Sequence, residues 1–280
     1  MSETVRVGFI GMGSIGKPMA ETLEASGMPL TVWARRPEAL ESFGAAVVRA
    51  STPAELGERC DVVGVCVFDD ASVEEVLFSR DGLLEGLAPG SVILIHSTVP
   101  PQYVVNVAAR CSAVAVHVVD APISGGPHVA ALGELTVMLG GNPAVIERVQ
   151  PVLDVVGSSM FHLGDVGAGQ QTKLLNNTIF TAQLGLAESL CAVAADLGVD
   201  VKAMLAAIAV SSGRSFAAEM YGNAGGVEQI AAGAARPLLT KDVRILRSLA
   251  RTDAEVIRVA EQFVDSMESA ASAGNDGTLP

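Results

Sequence analysis

Residues 5–23 read VRVGFIGMGSIGKPMAETL, a short apolar run followed at once by glycines and then by an amphipathic segment. The run predicts a strand over residues 5–10, and the G-x-G-x-x-G pattern then opens a helix. In that context Gly11 permits a tight turn, Gly13 lets the backbone approach a pyrophosphate, and Gly16 lets the helix pack closely on the strand. The stretch therefore predicts a dinucleotide site, with a purely structural glycine turn as the alternative. The loop residues expected at the cofactor are Gly11, Met12, Gly13, Ser14, Ile15 and Gly16.

Apolar strands and helical segments alternate through residue 163, and this alternation predicts a doubly wound α/β sheet of the Rossmann type. The run DVVGVCVF at residues 61–68 is apolar on both faces, which is typical of an interior parallel strand. Ligands bind outside the carboxyl ends of such strands. Phe68, Asp69 and Thr98 are therefore candidates for the cofactor edge, with an ordinary loop role as the alternative. Further strands are expected at residues 30–34, 45–48, 91–95, 113–118 and 135–140.

The end of the second strand indicates which dinucleotide is preferred. An acidic residue at this position binds the ribose hydroxyls of NAD, but this chain has Arg35 and Arg36 there. A guanidinium group suits a 2′-phosphate through charge-assisted, bidentate hydrogen bonds. We therefore predict a preference for NADP. NAD remains possible, since Glu38 lies nearby and two solvated arginines are the alternative.

A second glycine pair lies in the stretch DAPISGGP at residues 120–127. The backbone N–H groups of Ser124, Gly125 and Gly126, together with the serine hydroxyl, are arranged in sequence as in an anion-binding nest. Turn formation is the usual reason for two adjacent glycines, and it is the alternative here.

Residues 164–280 are predicted to form an all-helical domain for substrate binding and oligomerisation, after a dinucleotide-binding domain at residues 1–163. Its first helix, residues 170–197, has about 28 residues, is roughly 40 Å long and follows a glycine-rich hinge between the domains. Lys173 and Asn177 lie four residues apart on it and share one face. A solvated surface lysine is the alternative for Lys173. Shorter helices are expected at residues 201–210, 215–221, 241–251 and 253–271, and residues 273–280 are expected to fray.

Composition restricts the class of partner. Half of the 280 residues are hydrophobic and the formal net charge is -13, which argues against binding to nucleic acid or to an anionic membrane surface. The four cysteines form no C-x-x-C pair, so we expect reduced thiols and no metal site. Neither a signal-type core nor an apolar run of roughly 18 to 20 residues is evident. We therefore expect a cytoplasmic protein without a membrane span.

Four separated motifs occur in order along the chain. They are GFIGMGSIGKPMA at residues 8–20, DAPISGG at residues 120–126, GxGxxxKxxNN from Gly167 to Asn177, and Thr240-Lys241-Asp242 before an amphipathic helix. Together they resemble the β-hydroxyacid dehydrogenases, the family that contains 3-hydroxyisobutyrate dehydrogenase, tartronate semialdehyde reductase and the glyoxylate and succinic semialdehyde reductases. The resemblance covers nearly the whole chain.

The resemblance implies a role for each matching position. Lys173 would be the general acid/base and Asn177 would orient the substrate, while Thr98 would lie beside the nicotinamide and Lys241 would contact the cofactor side of the cleft. The substrate carboxylate would be held by Ser124, Gly125 and Gly126. The implied activity is NAD(P)-dependent interconversion of a small β-hydroxyacid and its semialdehyde, in a homodimer or homotetramer. A lysine that acts as a base near neutral pH needs a lowered pKa, which burial provides.

The chain also departs from the family pattern. No acidic residue precedes the Ser97-Thr98 pair, where many relatives have one, and the chain ends soon after its last helix, so contacts from a relative's last helix are not expected. Ser211, Ser215 and Phe216 are weaker candidates for the cleft, since hydroxyls near a helix start usually act as caps. Two other functions remain open: imine reduction, which Lys173 disfavours, and non-catalytic binding of NADP(H).

Overall fold

The structure is a computed structural model that describes residues 5–276. The strands are β1 (Val7–Ile10), β2 (Leu30–Trp33), β3 (Val48–Arg49), β4 (Val62–Val65), β5 (Val92–Ile95), β6 (His117–Asp120), β7 (Ile123–Ser124), β8 (Leu135–Leu139) and β9 (Gly157–His162). The helices are α1 (Gly16–Ala25), α2 (Pro53–Glu58), α3 (Asp70–Phe78), α4 (Leu83–Gly86), α5 (Pro101–Ser112), α6 (Gly126–Ala131), α7 (Pro143–Val156), α8 (Ala168–Asp196), α9 (Val201–Ala209), α10 (Phe216–Ala224), α11 (Val227–Ala232), α12 (Ala235–Leu249) and α13 (Glu255–Asp276), with a 3-10 helix at Pro37–Leu40.

The main sheet has six strands in the order β3-β2-β1-β4-β5-β6, and every neighbouring pair is parallel. This is the Rossmann order, whose topological switch lies between β1 and β4. Ile10 pairs with Val65, and Val65 pairs with Ile95, so the carboxyl ends of β1, β4 and β5 lie side by side. The predicted doubly wound α/β fold is confirmed.

Both faces of this sheet are buried, which explains why its strands are apolar at consecutive positions. In β4, Val62 packs into the core on one face, while Val63 and Val65 pack into the core on the other. Successive side chains of a strand point to opposite faces, so a strand covered on both sides needs apolar residues throughout. The two-sided character predicted for residues 61–68 is therefore confirmed over β4.

Three predicted strands differ from the structure. The strand expected at residues 45–48 forms only at Val48–Arg49, as β3, because a turn occupies residues 45–47. The strand expected at residues 113–118 begins only at His117, because α5 runs to Ser112 and a turn with Ala115 at a φ of +58° follows it. The strand expected at residues 135–140 forms, as β8, but in a separate three-stranded sheet. There β8 pairs antiparallel with β7 and parallel with β9.

The chain divides into two compact units, the first ending at Lys173 and the second beginning at Leu174. The predicted domain boundary at residue 163 stays a prediction. In the second unit the described elements are all helices, as predicted, around a core that includes Ala182, Phe263 and Met267. Helix α8 occupies Ala168–Asp196, close to its expected span.

Three helix ends in the second unit were predicted wrongly. Helix α10 continues to Ala224, beyond the expected end at residue 221. Helix α12 begins at Ala235, so Thr240-Lys241-Asp242 lies inside a helix and not before one. Pro237 does not prevent this, because the first turn of a helix needs no backbone donors. Helix α13 continues to Asp276, beyond the expected end near residue 271. Residues 277–280 of the expected frayed tail lie outside the described residues.

Within the described residues, α8 is the one helix long and apolar enough to cross a membrane. A single helix of this kind is weak support for a membrane segment, since a core helix of a soluble protein passes the same test. The absence of a membrane span and the cytoplasmic location stay predictions.

Candidate active site

The three glycines that connect β1 to the first residue of α1 are required for different structural reasons. Gly11 has a φ of +104°, and a Cβ there would lie 2.1 Å from the Cys66 carbonyl oxygen. At Gly16 a Cβ would lie 2.0 Å from the Gly11 carbonyl oxygen. Gly13 is exposed, and a Cβ there would meet no atom within 4 Å. The packing of the protein requires the first and third glycines, whereas the space over Gly13 is open to a ligand.

The start of helix α1 has the character of an anion site. The N-cap residue Ile15 makes no side-chain capping hydrogen bond, and the first turn contains no acidic residue. Unpaired N–H groups and the positive end of the helix dipole favour a phosphate at such a position. Met12 and Ile15 pack against the core, and Ser14 is exposed.

The two arginines after β2 are not equivalent. Both are exposed, but the Nη2 of Arg35 lies 2.6 Å from the Oε2 of Glu75, in an ion pair with both side chains more than half exposed. Across residues 5–273 the guanidinium of Arg36 makes no ion pair or hydrogen bond. Exposed ion pairs contribute about 0 to 1 kcal/mol, so Glu75 holds Arg35 only weakly. Glu38 lies in the first turn of the 3-10 helix that follows.

The loops after β4 and β5 are joined to each other. The Val67 N–H donates to the Ser97 Oγ over 2.9 Å. Phe68 is 48% exposed. Asp69 has a structural role, since its carboxylate caps helix α3 by accepting from the N–H of Ser72 at 2.9 Å and from its hydroxyl at 2.6 Å. The loop role named as the alternative thus applies to Asp69, and a cofactor role for Phe68 and Asp69 stays a prediction.

The residue before Ser97-Thr98, where the family resemblance implied an acidic side chain, is a buried histidine. The Nδ1 of His96 lies 2.8 Å from the carbonyl oxygen of Ala121, and its ring stacks on Phe9. Burial lowers the pKa of His96 to about 4, against the opposing effect of the hydrogen bond to Ala121. The imidazole is therefore uncharged near neutral pH and is part of the core.

Asp120, at the end of β6, anchors the start of helix α8. The side chain is fully buried, and its Oδ1 accepts from the Gly167 N–H at 2.8 Å while its Oδ2 accepts from the Gln170 N–H at 2.9 Å. Burial raises the pKa of Asp120 to about 6, and the backbone N–H groups oppose that rise. A Cβ at Gly169 would lie 2.9 Å from Asp120 Oδ2, which explains one glycine of the GxG pattern. Asp120 opens the DAPISGG motif, but no role was predicted for it from the sequence.

Gln170 was also missed. Its Oε1 accepts from the Val99 N–H at 3.0 Å, and its Nε2 donates to the Ser97 carbonyl oxygen at 2.8 Å. The two bonded groups flank Thr98. Gln170 itself is fully buried, so this amide fixes the Thr98 segment to the first turn of α8.

Lys173 follows Gln170 by three residues, which places the two on one face of α8. It is 8% exposed, so it is not the solvated surface lysine that was the alternative. The helix that presents it begins at the carboxyl ends of β5 and β6, through Gln170 and Asp120.

The backbone between β7 and the start of α6 has a conformation that only glycine adopts easily. Gly125 and Gly126 have φ values of +138° and +78°. A Cβ at Gly126 would meet no atom within 4 Å, and Gly125 is exposed. Ser124 pairs with Thr136 in the small sheet. Carboxylate binding by this loop stays a prediction.

In the second unit, the carboxylate of Asp242 contacts two predicted site residues, Asn177 and Lys241. The Nδ2 of Asn177 donates to Asp242 Oδ2 at 2.5 Å, and the Nζ of Lys241 lies 2.8 Å from Asp242 Oδ1. The Nδ2 of Asn176 donates to the Asn177 Oδ1 at 3.1 Å. Asp242 belongs to the Thr240-Lys241-Asp242 motif, but no role was predicted for it from the sequence. Ser215 acts as a cap, accepting from the Ala218 N–H at 3.1 Å.

Metal and thiol chemistry find no support among the described residues. No group of three or more His, Cys, Asp or Glu side chains there is placed to hold a metal ion. The four cysteines are free, and burial raises the pKa of Cys60 and Cys111 to about 11 and that of Cys66 to about 12. These three thiols stay protonated and unreactive near neutral pH.

Known proteins resemble this chain over both units. Residues 6–164 match the family described as the NAD binding domain of 6-phosphogluconate dehydrogenase, and residues 167–279 match the NAD-binding domain of NADP-dependent 3-hydroxyisobutyrate dehydrogenase. The 2-(hydroxymethyl)glutarate dehydrogenase of Eubacterium barkeri is 36% identical over 225 residues, covering 78% of this chain and 73% of that protein. The NAD-dependent L-serine dehydrogenase of Pseudomonas aeruginosa is 32% identical over 260 residues, covering 89% and 86%. A crystal structure of 3-hydroxyisobutyrate dehydrogenase from Salmonella typhimurium has a TM-score of 0.82 and 28% identity, covering 96% and 95%.

Proposed function

Because the chain belongs to the β-hydroxyacid dehydrogenase family of NAD(P)-dependent oxidoreductases, we propose that it interconverts a small β-hydroxyacid of the 3-hydroxyisobutyrate type and the corresponding semialdehyde. The observation that carries the proposal is the burial of Lys173 on a helix anchored at the carboxyl ends of β5 and β6. Ligands of a Rossmann sheet bind at this edge.

Lys173 moves the proton in the proposed reaction. When bound, a nicotinamide would supply the hydride acceptor for oxidation at the hydroxyl-bearing carbon and the hydride donor for reduction of the carbonyl. In oxidation the neutral amine of Lys173 removes the hydroxyl proton as the C=O bond forms. In reduction the ammonium of Lys173 hydrogen-bonds the carbonyl oxygen and donates that proton.

Two groups of residues hold the substrate in this proposal. The Ser124 hydroxyl and the N–H groups of Gly125 and Gly126 bind the carboxylate, and the open space where a Cβ would lie at Gly126 leaves room for it. Asn177 orients the reacting oxygen. Its Nδ2 carries two N–H groups, and one of them donates to Asp242. That hydrogen bond fixes the orientation of the amide, and the second N–H group is the one that binds the substrate in this proposal.

The cofactor is proposed to be NADP, with NAD as the second choice. The loop from Gly11 to Gly16 and the start of α1 receive the pyrophosphate, for which the open space over Gly13 leaves room. Arg36, with Arg35, binds the 2′-phosphate. Thr98 lies beside the nicotinamide, Phe68 and Asp69 border the cofactor, and Lys241 contacts it.

We also propose a cytoplasmic homodimer or homotetramer assembled through the second unit. Exposed apolar side chains recur every three or four positions along α8 and just beyond it, so they form one stripe on a helix. They are Leu186, Leu190, Val193 and Leu197, at 58, 42, 49 and 74% exposure. A second copy of the chain would bury this stripe.

Initial rates test the proposed function. The purified protein is assayed with NADPH and NADH against glyoxylate and the succinic, methylmalonic and tartronic semialdehydes, and with 3-hydroxyisobutyrate in the oxidative direction. We expect turnover of at least one carboxylate-bearing substrate, at higher kcat/KM with NADPH. Reduction of a cyclic imine without any semialdehyde turnover would favour imine reduction instead. Cofactor binding without turnover of any compound would favour a non-catalytic NADP(H)-binding protein.

A further inference from the structure

The segment that carries Thr98 is held on its Ser97 side by the hydrogen bond from the Val67 N–H to the Ser97 Oγ, and on its Val99 side by a residue distant in the chain. Val99 is fully buried, and Pro100 and Pro101 after it have no backbone N–H. A buried N–H without an acceptor is costly, so the Val99 N–H needs a partner. Among the described residues that partner is the Oε1 of Gln170, which lies 71 positions later in the chain.

Hydrogen bonds hold both the side-chain amide and the backbone N–H of Gln170 in place. Its side-chain amide binds Val99 through the oxygen and Ser97 through the nitrogen, at 3.0 and 2.8 Å. Its backbone N–H donates to the buried carboxylate of Asp120 at 2.9 Å. A side chain held at both ends and fully buried has one conformation.

Lys173 lies on the same face of α8, three residues further on. The Thr98 segment, Gln170 and Lys173 thus form one continuous path within the first unit, through two hydrogen bonds and one turn of helix. In the proposed reaction the ends of this path are the residue beside the nicotinamide and the residue that transfers the proton.

We propose that Gln170 is a positioning residue, which sets the distance between the nicotinamide neighbour Thr98 and the Lys173 amine so that hydride and proton transfer occur at one substrate carbonyl. This role rests on the proposed function. In the proposed reaction, Gln170 contacts neither the substrate nor the cofactor. A misplacement of about 1 Å between reacting groups lowers turnover by about a hundredfold, so loss of the amide acts on kcat.

The test compares Gln170→Met with Gln171→Met. Methionine has nearly the volume of glutamine and makes neither hydrogen bond, and Gln171 is the exposed neighbour on the same helix. We expect Gln170→Met to lower kcat by about 10- to 100-fold, with the KM and the cofactor Kd unchanged. The primary isotope effect with NADPH deuterated at the transferred position should rise, since hydride transfer becomes slower. Gln171→Met should behave as the wild type.

A second measurement is independent of turnover. Hydrogen exchange of the Val99 amide, followed by mass spectrometry of peptides containing residues 97–101, should accelerate in Gln170→Met and not in Gln171→Met. The side chain in Gln170→Asn has one methylene less and reaches only one of the two partners, so its Val99 exchange rate should lie between those of the wild type and Gln170→Met. This variant replaces Gln170→Met if the latter does not fold.

The outcomes separate the two proposals. Wild-type kcat and isotope effect in a folded Gln170 variant would overturn the positioning role, as would an unchanged exchange rate at Val99. If the wild-type protein turned over nothing in the panel, the proposed function would fail and the catalytic part of this role with it. The exchange measurement would still decide whether Gln170 anchors the Thr98 segment.

Discussion

Asn177 donates a hydrogen bond from its Nδ2 to the Oδ2 of Asp242 over 2.5 Å, within the second unit. The other oxygen of the same carboxylate lies 2.8 Å from the Lys241 ammonium, and the Asp242 side chain is only 3% exposed. One buried carboxylate therefore orders both second-unit residues that the proposed reaction uses.

Replacing Asp242 with Asn should destabilise the protein by about 1 to 3 kcal/mol, because the Lys241 ammonium loses its charged partner. Denaturant unfolding followed by far-UV circular dichroism measures the loss. Asp196→Asn, at an exposed position of α8, is the matched control. We also expect a higher KM for the carboxylate substrate, since one amide oxygen replaces two carboxylate oxygens and Asn177 then competes with Lys241 for it. Equal stability of the two variants would contradict the role of Asp242.

Replacing Lys173 with Ala should lower kcat by about two to four orders of magnitude, since proton transfer loses its donor and acceptor. The cofactor Kd should not change. Lys202→Ala, at an exposed position of α9, controls for removal of a lysine and should retain full activity. Turnover of Lys173→Ala at the wild-type rate would remove Lys173 from the mechanism.

Alanine substitutions at Gly13 and Gly16 should separate a glycine needed for cofactor binding from one needed for packing. Gly13→Ala should leave thermal stability unchanged, because the new Cβ meets no atom within 4 Å, but should weaken NADPH binding by filling the open space. Gly16→Ala should cost about 1 to 3 kcal/mol of stability from overpacking, as its Cβ would lie 2.0 Å from the Gly11 carbonyl oxygen. Fluorescence of Trp33, the single tryptophan of the chain, reports unfolding of the first unit. Undiminished NADPH affinity in Gly13→Ala would refute the pyrophosphate role.

Cofactor preference should depend more on Arg36 than on Arg35. Removing the Arg36 guanidinium loses a charge-assisted hydrogen bond of about 1.5 to 3 kcal/mol, or roughly 10- to 100-fold in the KM for NADPH. The KM for NADH should stay the same. Arg35→Ala should have a smaller effect, because that guanidinium is shared with Glu75. Equal wild-type efficiency with both cofactors would overturn the preference for NADP.

His96 should make the first unit less stable in mild acid. Burial lowers its pKa from 6.5 to about 4, so between these values the unfolded chain binds more protons than the folded one. The stability from neutral His96 is therefore complete above pH 6.5 and is lost as the pH falls towards 4, by at most about 1.4 kcal/mol per pH unit.

Urea unfolding of the wild type and His96→Asn, followed by Trp33 fluorescence, measures this contribution. Asn keeps a donor near the position of Nδ1 without a titrating group. The stability of the wild type relative to the variant should fall as the pH is lowered. Asp120 has the opposite slope, because its pKa is raised, but it is common to both proteins and cancels. A difference that is constant with pH would show that His96 does not titrate in this way.

The sequence alone determined the features whose causes are local. The G-x-G-x-x-G turn, the two-sided apolar strands and the long span of α8 follow from backbone geometry and side-chain periodicity within a few residues. The matching motifs likewise indicated the family and named Lys173, since each is read from neighbouring positions.

The tertiary structure decided what holds those residues in place. Asp120 meets the Gln170 N–H across 50 positions, and Gln170 meets Val99 across 71. No local pattern specifies such a pair, because any buried amide or carboxylate has many donors and acceptors of equal chemistry along the chain. Only the packing of β5, β6 and α8 selects the partners. The same reason explains why β8 joined a separate sheet, since a strand's pattern gives its faces and not its neighbours.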